Sequence, residues 1–370
     1  MKNIYGTLLA FFLIGNPAFA QIEYIKNSDH FQSSSAIMTT HGILALGATG
    51  YMLFNDETSR AKFSGPHKID GYPLILKPDP SGKIIYAGLN HSGSYFPDTD
   101  TRQAILGYLN LSDKGTVQSV EKIHVKGKLP YALDVFPSSE IISLSDLGGK
   151  YRLSYARAGF FDSSSQEFGS GQIADMLITA SGRIAVLGFD EENSEHLVEA
   201  TFWEFDKKFK LVNKTPLGRF KKRGQMSALM TILEHGQDLY LIYGWDEPGT
   251  KDERPDEVSI QKIRGTTEWK NIGTAPYQPG AKAFISLTGN PYILYPRVDE
   301  LEKLEFSAAH GKKSKMGLKR PTEPTRCFPK DWRYEIVDVL KDGTAEYLVL
   351  NGDPLNHPVA GCTSIAKITN

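Results

Sequence analysis

The chain has 370 residues, with 42 Lys and Arg against 43 Asp and Glu, a formal net charge of −1. That balance excludes the basic footprint of a nucleic-acid binder and the polybasic patch of a protein held on an anionic membrane. Hydrophobic residues make up 40% of the chain, enough for a folded core and too many for a disordered one.

The first element in chain order is a targeting segment. Lys2 supplies a short positive start, Leu8 to Ile14 is an apolar run too short to span a bilayer, and Ala18-Phe19-Ala20 has the small-x-small pattern of a cleavage site. The expectation is a signal peptide over residues 1–20, removed before Gln21, and a periplasmic or secreted domain over 21–370. Loss of Lys2 leaves 41 basic residues against 43 acidic ones, a net charge of −2. No later segment is apolar enough to cross a membrane, so no transmembrane segment is expected in the mature chain.

After Gln21 one pattern returns: an apolar strand, a polar two-residue turn, a second apolar strand and a loop. The copies are "SSSAIMTTHGILALGAT", "GYPLILKPDPSGKIIYAGLN", "PYALDVFPSSEIISLSD", "IADMLITASGRIAVLGFD", "MSALMTILEHGQDLYLIYGWD", "AKAFISLTGNPYILYPRVD" and "YEIVDVLKDGTAEYLVLNGD". Their turns centre on Gly42, Gly82, Ser139, Gly182, Gly236, Gly289 and Gly343, at intervals of 40, 57, 43, 54, 53 and 54 residues. These turn residues tolerate the positive φ of a tight hairpin. A third strand candidate follows each hairpin: "YMLFN", "AILGYL", "YRLSYAR", "VEATFWEF", "VSIQKI", "KLEF" and "TSIAKI". Long helical periodicity is absent. Units of about four short strands at this period predict an all-β fold, a seven-bladed β-propeller, in preference to paired β-sandwiches.

Closure of such a ring makes a sharper expectation. The last unit ends at "TSIAKITN" with an unpaired outer edge, while "IEYIK" (Ile22 to Lys26) precedes the first unit without a partner. An open edge is a liability, so the N-terminal strand is expected to pair with the C-terminal one. Cys327 and Cys362 are the only cysteines. In an exported chain they read as one disulfide, clamping the blade where the ring closes.

Function must then come from loops and the channel mouth. The second strands end in acids at Asp146, Asp190, Asp246, Asp299 and Asp353. They could form an acidic rim, or cap turn amides as Asp commonly does. The loops entering the first strands carry Lys68, Lys128, Arg223, Lys282 and Arg333, with Tyr131 and Trp332 nearby. Near the axis those basic groups could converge on an anionic ligand between aromatic walls. A basic run, Gly311 to Arg320, lies between the sixth and seventh units and reads as an exposed loop.

No nucleophile elbow, zinc-protease helix, phosphate loop or complete calcium loop occurs, and the histidines do not pair at metal-ligand spacing. No cofactor and no metal is therefore expected. The repeat resembles exported bacterial seven-bladed propellers in architecture, and carries no motif of a specific family among them. That resemblance implies a ring and no particular active residue. Two readings remain. The stronger is a non-catalytic ring presenting one loop face to a protein or glycan; the other is an enzyme or redox-complex subunit acting on a small anionic molecule at the channel mouth.

Overall fold

The computed structural model describes residues 21–28, 33–47, 50–54, 62–63, 72–79, 82–89, 104–115, 117–124, 130–147, 149–157, 160–171, 174–192, 197–221, 227–246, 257–264, 268–297, 300–307, 313–319, 333–353 and 362–369. All regular structure there is β. The chain opens on β1 (Gln21–Ser28) and then builds seven four-stranded units. The first is β2 (Ser33–Thr39), β3 (Gly42–Gly47), β4 (Gly50–Phe54) and β5 (Lys62–Phe63). The second is β6 (Tyr72–Pro78), β7 (Ile84–Leu89), β8 (Ala104–Leu111) and β9 (Val117–His124). The third is β10 (Ala132–Val135), β11 (Ile141–Leu147), β12 (Lys150–Arg157) and β13 (Phe160–Phe168). The fourth is β14 (Ala174–Ile178), β15 (Ile184–Glu192), β16 (Leu197–Phe205) and β17 (Leu211–Lys221). The fifth is β18 (Ser227–His235), β19 (Asp238–Asp246), β20 (Glu257–Arg264) and β21 (Glu268–Pro276). The sixth is β22 (Lys282–Ile285), β23 (Pro291–Pro296), β24 (Glu300–Phe306) and β25 (Lys313–Lys319). The seventh holds only three strands in sequence, β26 (Arg333–Lys341), β27 (Glu346–Asp353) and β28 (Cys362–Thr369).

β1 supplies the missing strand. It pairs antiparallel with β28 from Gln21↔Thr369 to Ser28↔Thr363, as the closure argument predicts. Gln21 also meets Lys319 in a parallel bridge to β25, which links the sixth and seventh sheets into one of eight strands. The other five sheets have four strands each. The architecture is a seven-bladed β-propeller.

Seven turns set the blades. Gly42, Gly82, Ser139, Gly182, Gly236, Gly289 and Gly343 all have positive φ, between 63° and 117°. In four of them the amide of the positive-φ residue bonds the carbonyl three residues back: Gly82 to Asp79, Ser139 to Phe136, Gly182 to Thr179 and Gly289 to Ser286. Ser139 is the non-glycine among the seven, and its hydroxyl donates to Asp79 Oδ1 of the preceding blade at 2.7 Å.

The core consists of seven clusters, each shared by two neighbouring blades. In blade four, Ile184 and Val186 pack against blade three with Trp203 and Phe205, while Ala185 and Leu187 pack against blade five with Phe202. Both faces of the second strand are thus buried, which is why these strands read as unbroken apolar runs. Val349 and Ile365 of blade seven join Ala36, Ala45 and Met52 of blade one in the cluster that shuts the circle. A buried polar network reinforces that joint. The Ser33 amide donates to Thr363 Oγ1 at 2.8 Å and to Asn351 Oδ1 at 3.2 Å, and Asn351 Nδ2 returns a bond to the Ser33 carbonyl at 2.6 Å.

The basic run at 311–320 differs from expectation. Lys313–Lys319 is β25, the outer strand of blade six, paired along its length with β24. An outer strand lacks a second buried face, so lysines alternating with apolar residues suit it. Cys362 opens β28 opposite Gly352, and Cys327 lies outside the described residues.

Candidate functional site

The first strand of each blade is its innermost, so one edge of each faces the axis without a sheet partner. Such an edge leaves amides and carbonyls to be satisfied. Charged side chains do this from blade to blade. Asp134 on β10 accepts the Val135 amide on Oδ1 at 3.0 Å and, on Oδ2, the Ile178 amide of blade four at 2.6 Å. Asp175 on β14 repeats the arrangement with Met176 and with Ile232 of blade five, both at 2.8 Å. Lys282 on β22 performs the converse, donating from Nζ to the Val337 carbonyl of blade seven at 2.8 Å. Asp338 on β26 accepts the Val339 amide on Oδ1 at 2.8 Å.

Register sorts these groups into two levels. Asp175, Lys282 and Asp338 stand opposite Leu187, Leu294 and Val349, equivalent positions of their blades. Lys77 and Asp134 stand opposite Ile85 and Ile142, two rungs nearer the hairpin turns. Two residues along a strand separate the levels by roughly 6–7 Å.

Burial shifts Asp175, Asp338 and Lys282. It raises the Asp175 carboxyl above its usual range, against the Ile232 amide and the charge of Lys77. It pushes Asp338 up to about 6, against the Val339 amide and the charges of Lys282 and Lys77. It lowers the Lys282 ammonium, which Asp338 and Glu335 partly restore. Lys282 as a whole residue is nonetheless exposed, while its ammonium is held on the Val337 carbonyl.

Of the residues expected at the mouth, Lys282 is fully described: it opens the first strand of blade six and its ammonium bonds the Val337 carbonyl. Arg333 starts β26, four residues before the carbonyl that Lys282 holds, and pairs in register with Asp353. Lys68, Lys128, Arg223 and Trp332 lie outside the described residues. Tyr131 is half-buried in the joint between blades three and four, its ring edge-on to Tyr151 at 5.9 Å and its hydroxyl donating to the Gly171 carbonyl at 3.3 Å. Burial and then Asp146 push its phenol up to about 12. The acids of the expected rim serve separate local roles where they can be followed. Asp146 accepts the Gly149 amide at 2.8 Å as a turn cap, and Asp190 pairs with Lys214 of its own blade at 2.8 Å. Asp246 and Asp353 end β19 and β27, and Asp299 lies outside the described residues. Among the described residues no group of three or more His, Cys, Asp or Glu side chains could hold a metal ion.

Sequence reasoning passed over Lys77, Asp134, Asp175 and Asp338. The signal is present: a single charge inside the otherwise apolar first strands "PLILKP", "YALDV" and "IADMLI", and Asp338 beside Glu335 in "YEIVDVL".

No family model matches the chain and no curated protein matches it. Solved structures share the ring. An ulvan lyase of polysaccharide lyase family PL25 aligns over 93% of this chain and 95% of its own, at 11% identity and a TM-score of 0.57. The same lyase bound to -[GlcA(1-4)Rha3S]- gives 12% identity over 93% and 95%, with a TM-score of 0.56. The polysaccharide lyase Uly1 aligns over 91% of this chain and 90% of its own, at 12% identity and a TM-score of 0.54. At such identities the likeness is one of fold.

Proposed function

We propose that the chain is an exported binding ring that takes an acidic glycan on the end of the propeller opposite its hairpin turns. The observation that carries this reading is the asymmetry of the two ends. At the turn end the polar groups are spent between blades: Ser139 on Asp79, the Ala180 amide on Glu234 at 2.8 Å, and the Leu287 amide on Glu346 at 2.9 Å. β7, β19 and β25 end, and β8, β20 and β26 begin, at the other end. Lys282 and Arg333 begin first strands at that end, and in the sequence Lys68, Lys128 and Arg223 precede first strands. Several cations around one mouth favour a polyanion, whose charges they meet together. Export to an oxidising compartment accompanies the reading, with Cys327 bridged to Cys362. A mass increase for two alkylated thiols only after reduction would support the bridge.

The lyase complex with a glucuronate-containing ligand motivates the probe. Titration of the mature protein with a glucuronate polymer and with neutral dextran should show binding to the former alone, weakening steeply with salt. The double variant Arg223→Ala, Arg333→Ala should bind the polymer at least ~10-fold more weakly. Equal affinity for dextran, or no effect of the double variant, would overturn the assignment. Release of an unsaturated uronate during the titration would replace it with the catalytic alternative.

A further inference from the structure

The outer turn of blade four has a feature that the ring does not require. Asp206 Oδ1 fixes the turn between β16 and β17 by accepting the Lys208 and Lys210 amides at 2.8 and 2.9 Å. Phe209 has a φ of 61°, a left-handed conformation that is an outlier for a bulky side chain. Its ring is buried against Tyr155 of blade three at 4.7 Å, and the Tyr155 hydroxyl donates to the Lys207 carbonyl. Strain of this kind persists where the surroundings hold a segment in one shape, and it points to use of that shape. The turn displays Lys207, Lys208, Lys210, Leu211 and Val212, all exposed. Leu211 and Val212, at 47% and 46%, are the most exposed large apolar residues among those described. Lys207 lies over the Phe136 ring at 4.9 Å and Lys214 pairs with Asp190, which leaves Lys208 and Lys210 without a side-chain partner among the described residues.

β17 is the last strand of its sheet, so a row of its backbone groups is open from Leu211 to Thr215, as far as Pro216, which has no N–H. Lys207, Lys208, Lys210, Lys214, Arg219 and Lys221 follow one another there with no acid between them. Basicity is not general to the outer strands: β13 carries Asp162 and Glu167 and no Lys or Arg, and β21 carries Glu268 and Lys270. The other basic one, β25, is bridged at Lys319 by β1. We propose that the Leu211–Thr215 edge takes an acidic, extended segment of a partner protein as a fifth strand of blade four. Main-chain hydrogen bonds hold such a segment, its acids meet Lys208 and Lys210, and its apolar residues cover Leu211 and Val212. A lipid surface would use the lysines and leave the strand edge open. A Cβ at Gly182 would lie 3.6 Å from Lys207 Cε, which places the turn at the hairpin end of the ring. The edge therefore goes beyond the glycan reading and uses none of its arginines.

The probe is a blocked peptide of about seven residues alternating glutamate and valine. It should bind the mature protein with a Kd of ~1 mM or tighter, and a lysine–valine counterpart at least ~10-fold more weakly. The double variants Lys208→Glu, Lys210→Glu and Leu211→Ser, Val212→Ser should each weaken binding by ~10-fold or more and keep the wild-type melting transition. Methylating the peptide nitrogens along one edge should abolish binding, and along the other edge spare it, because a single edge pairs. That comparison uses the wild-type protein and stands whether or not the variants fold. Lys208→Glu, Lys210→Glu should bind the glucuronate polymer as wild type does, which separates this edge from the mouth. No binding of the acidic peptide, equal binding of the two peptides, or equal binding of the two methylated forms would each overturn the proposal. So would self-association, or binding to phosphatidylglycerol vesicles, that the lysine variant removes while the peptide fails to bind.

Discussion

Asp338 links the chemistry of the axis to stability. Its carboxyl titrates at about 6 in the fold against 3.8 for an ordinary aspartate. Between those values the native state keeps a proton that the unfolded chain has released. Raising the pH through that window therefore ionises a carboxyl that burial resists, and stability falls. The stabilising contribution is complete below the unfolded value and gone above the folded one. Asp338→Asn keeps an oxygen for the Val339 amide but has no charge to desolvate. It should gain up to ~2 kcal/mol over wild type at about pH 7 and show a smaller loss between about pH 4 and pH 6. Denaturant unfolding at the two ends of that range measures both. An unchanged pH slope would mean that another acid, Asp175 foremost, dominates the titration. Asn351 offers a contrast: besides Glu335 Oε2, which accepts from its Nδ2 at 3.0 Å, its partners are the Ser33 backbone and the Ser33 and Thr363 hydroxyls of the closing joint. Asn351→Ala removes the side-chain donor to the Ser33 carbonyl and an acceptor of the Ser33 amide, and should cost ~2–3 kcal/mol at neutral pH.

The hairpin turn is the element that made the fold legible. A second strand buried on both faces must be apolar throughout, and the turn before it must reverse in two residues. Together these leave a run such as "IAVLGF" behind a Ser-Gly pair, and each of the seven turn centres has the φ that this reading requires. The outer strands were not legible for the opposite reason. β5 has two residues, and β25 is lysine-rich because an outer strand needs no continuous apolar face. The axial site was invisible for a third reason. One aspartate or lysine within a short strand resembles any polar residue, and its meaning arises only when the ring sets one first strand beside the next, as Asp134 meets the Ile178 amide and Asp175 that of Ile232. Turns also differ in what they tolerate. A Cβ at Gly236 meets nothing within 4 Å, whereas one at Gly289 would lie 2.5 Å from the His235 ring. Both have positive φ, so Gly236→Ala should cost ~1 kcal/mol for backbone strain alone. Gly289→Ala should cost measurably more, since the His235 ring of the neighbouring blade must also move. Equal melting temperatures for the two variants would contradict that ranking.

At the scale of the whole molecule the ring depends on strands from the two ends of the chain. The joints with blades six and one both require blade seven to stand between them, and β1 is its outer wall. Seven register pairs join β1 to β28. Deleting residues 21–28 would leave blade seven with β26, β27 and β28, still anchored to blade one through Val349 and Ile365. The truncated protein should therefore fold, with its stability reduced by ~3 kcal/mol or more from the lost ladder. It would also expose the edge of β28, Thr363–Thr369, as a template for another strand. Sedimentation should show association that increases with concentration, and a synthetic peptide of residues 21–28 added in trans should reverse both the association and the stability loss. A truncated protein that stays monomeric and unfolds at the wild-type denaturant concentration would show that the circle is held by its inner strands and joints, with β1 only a cover.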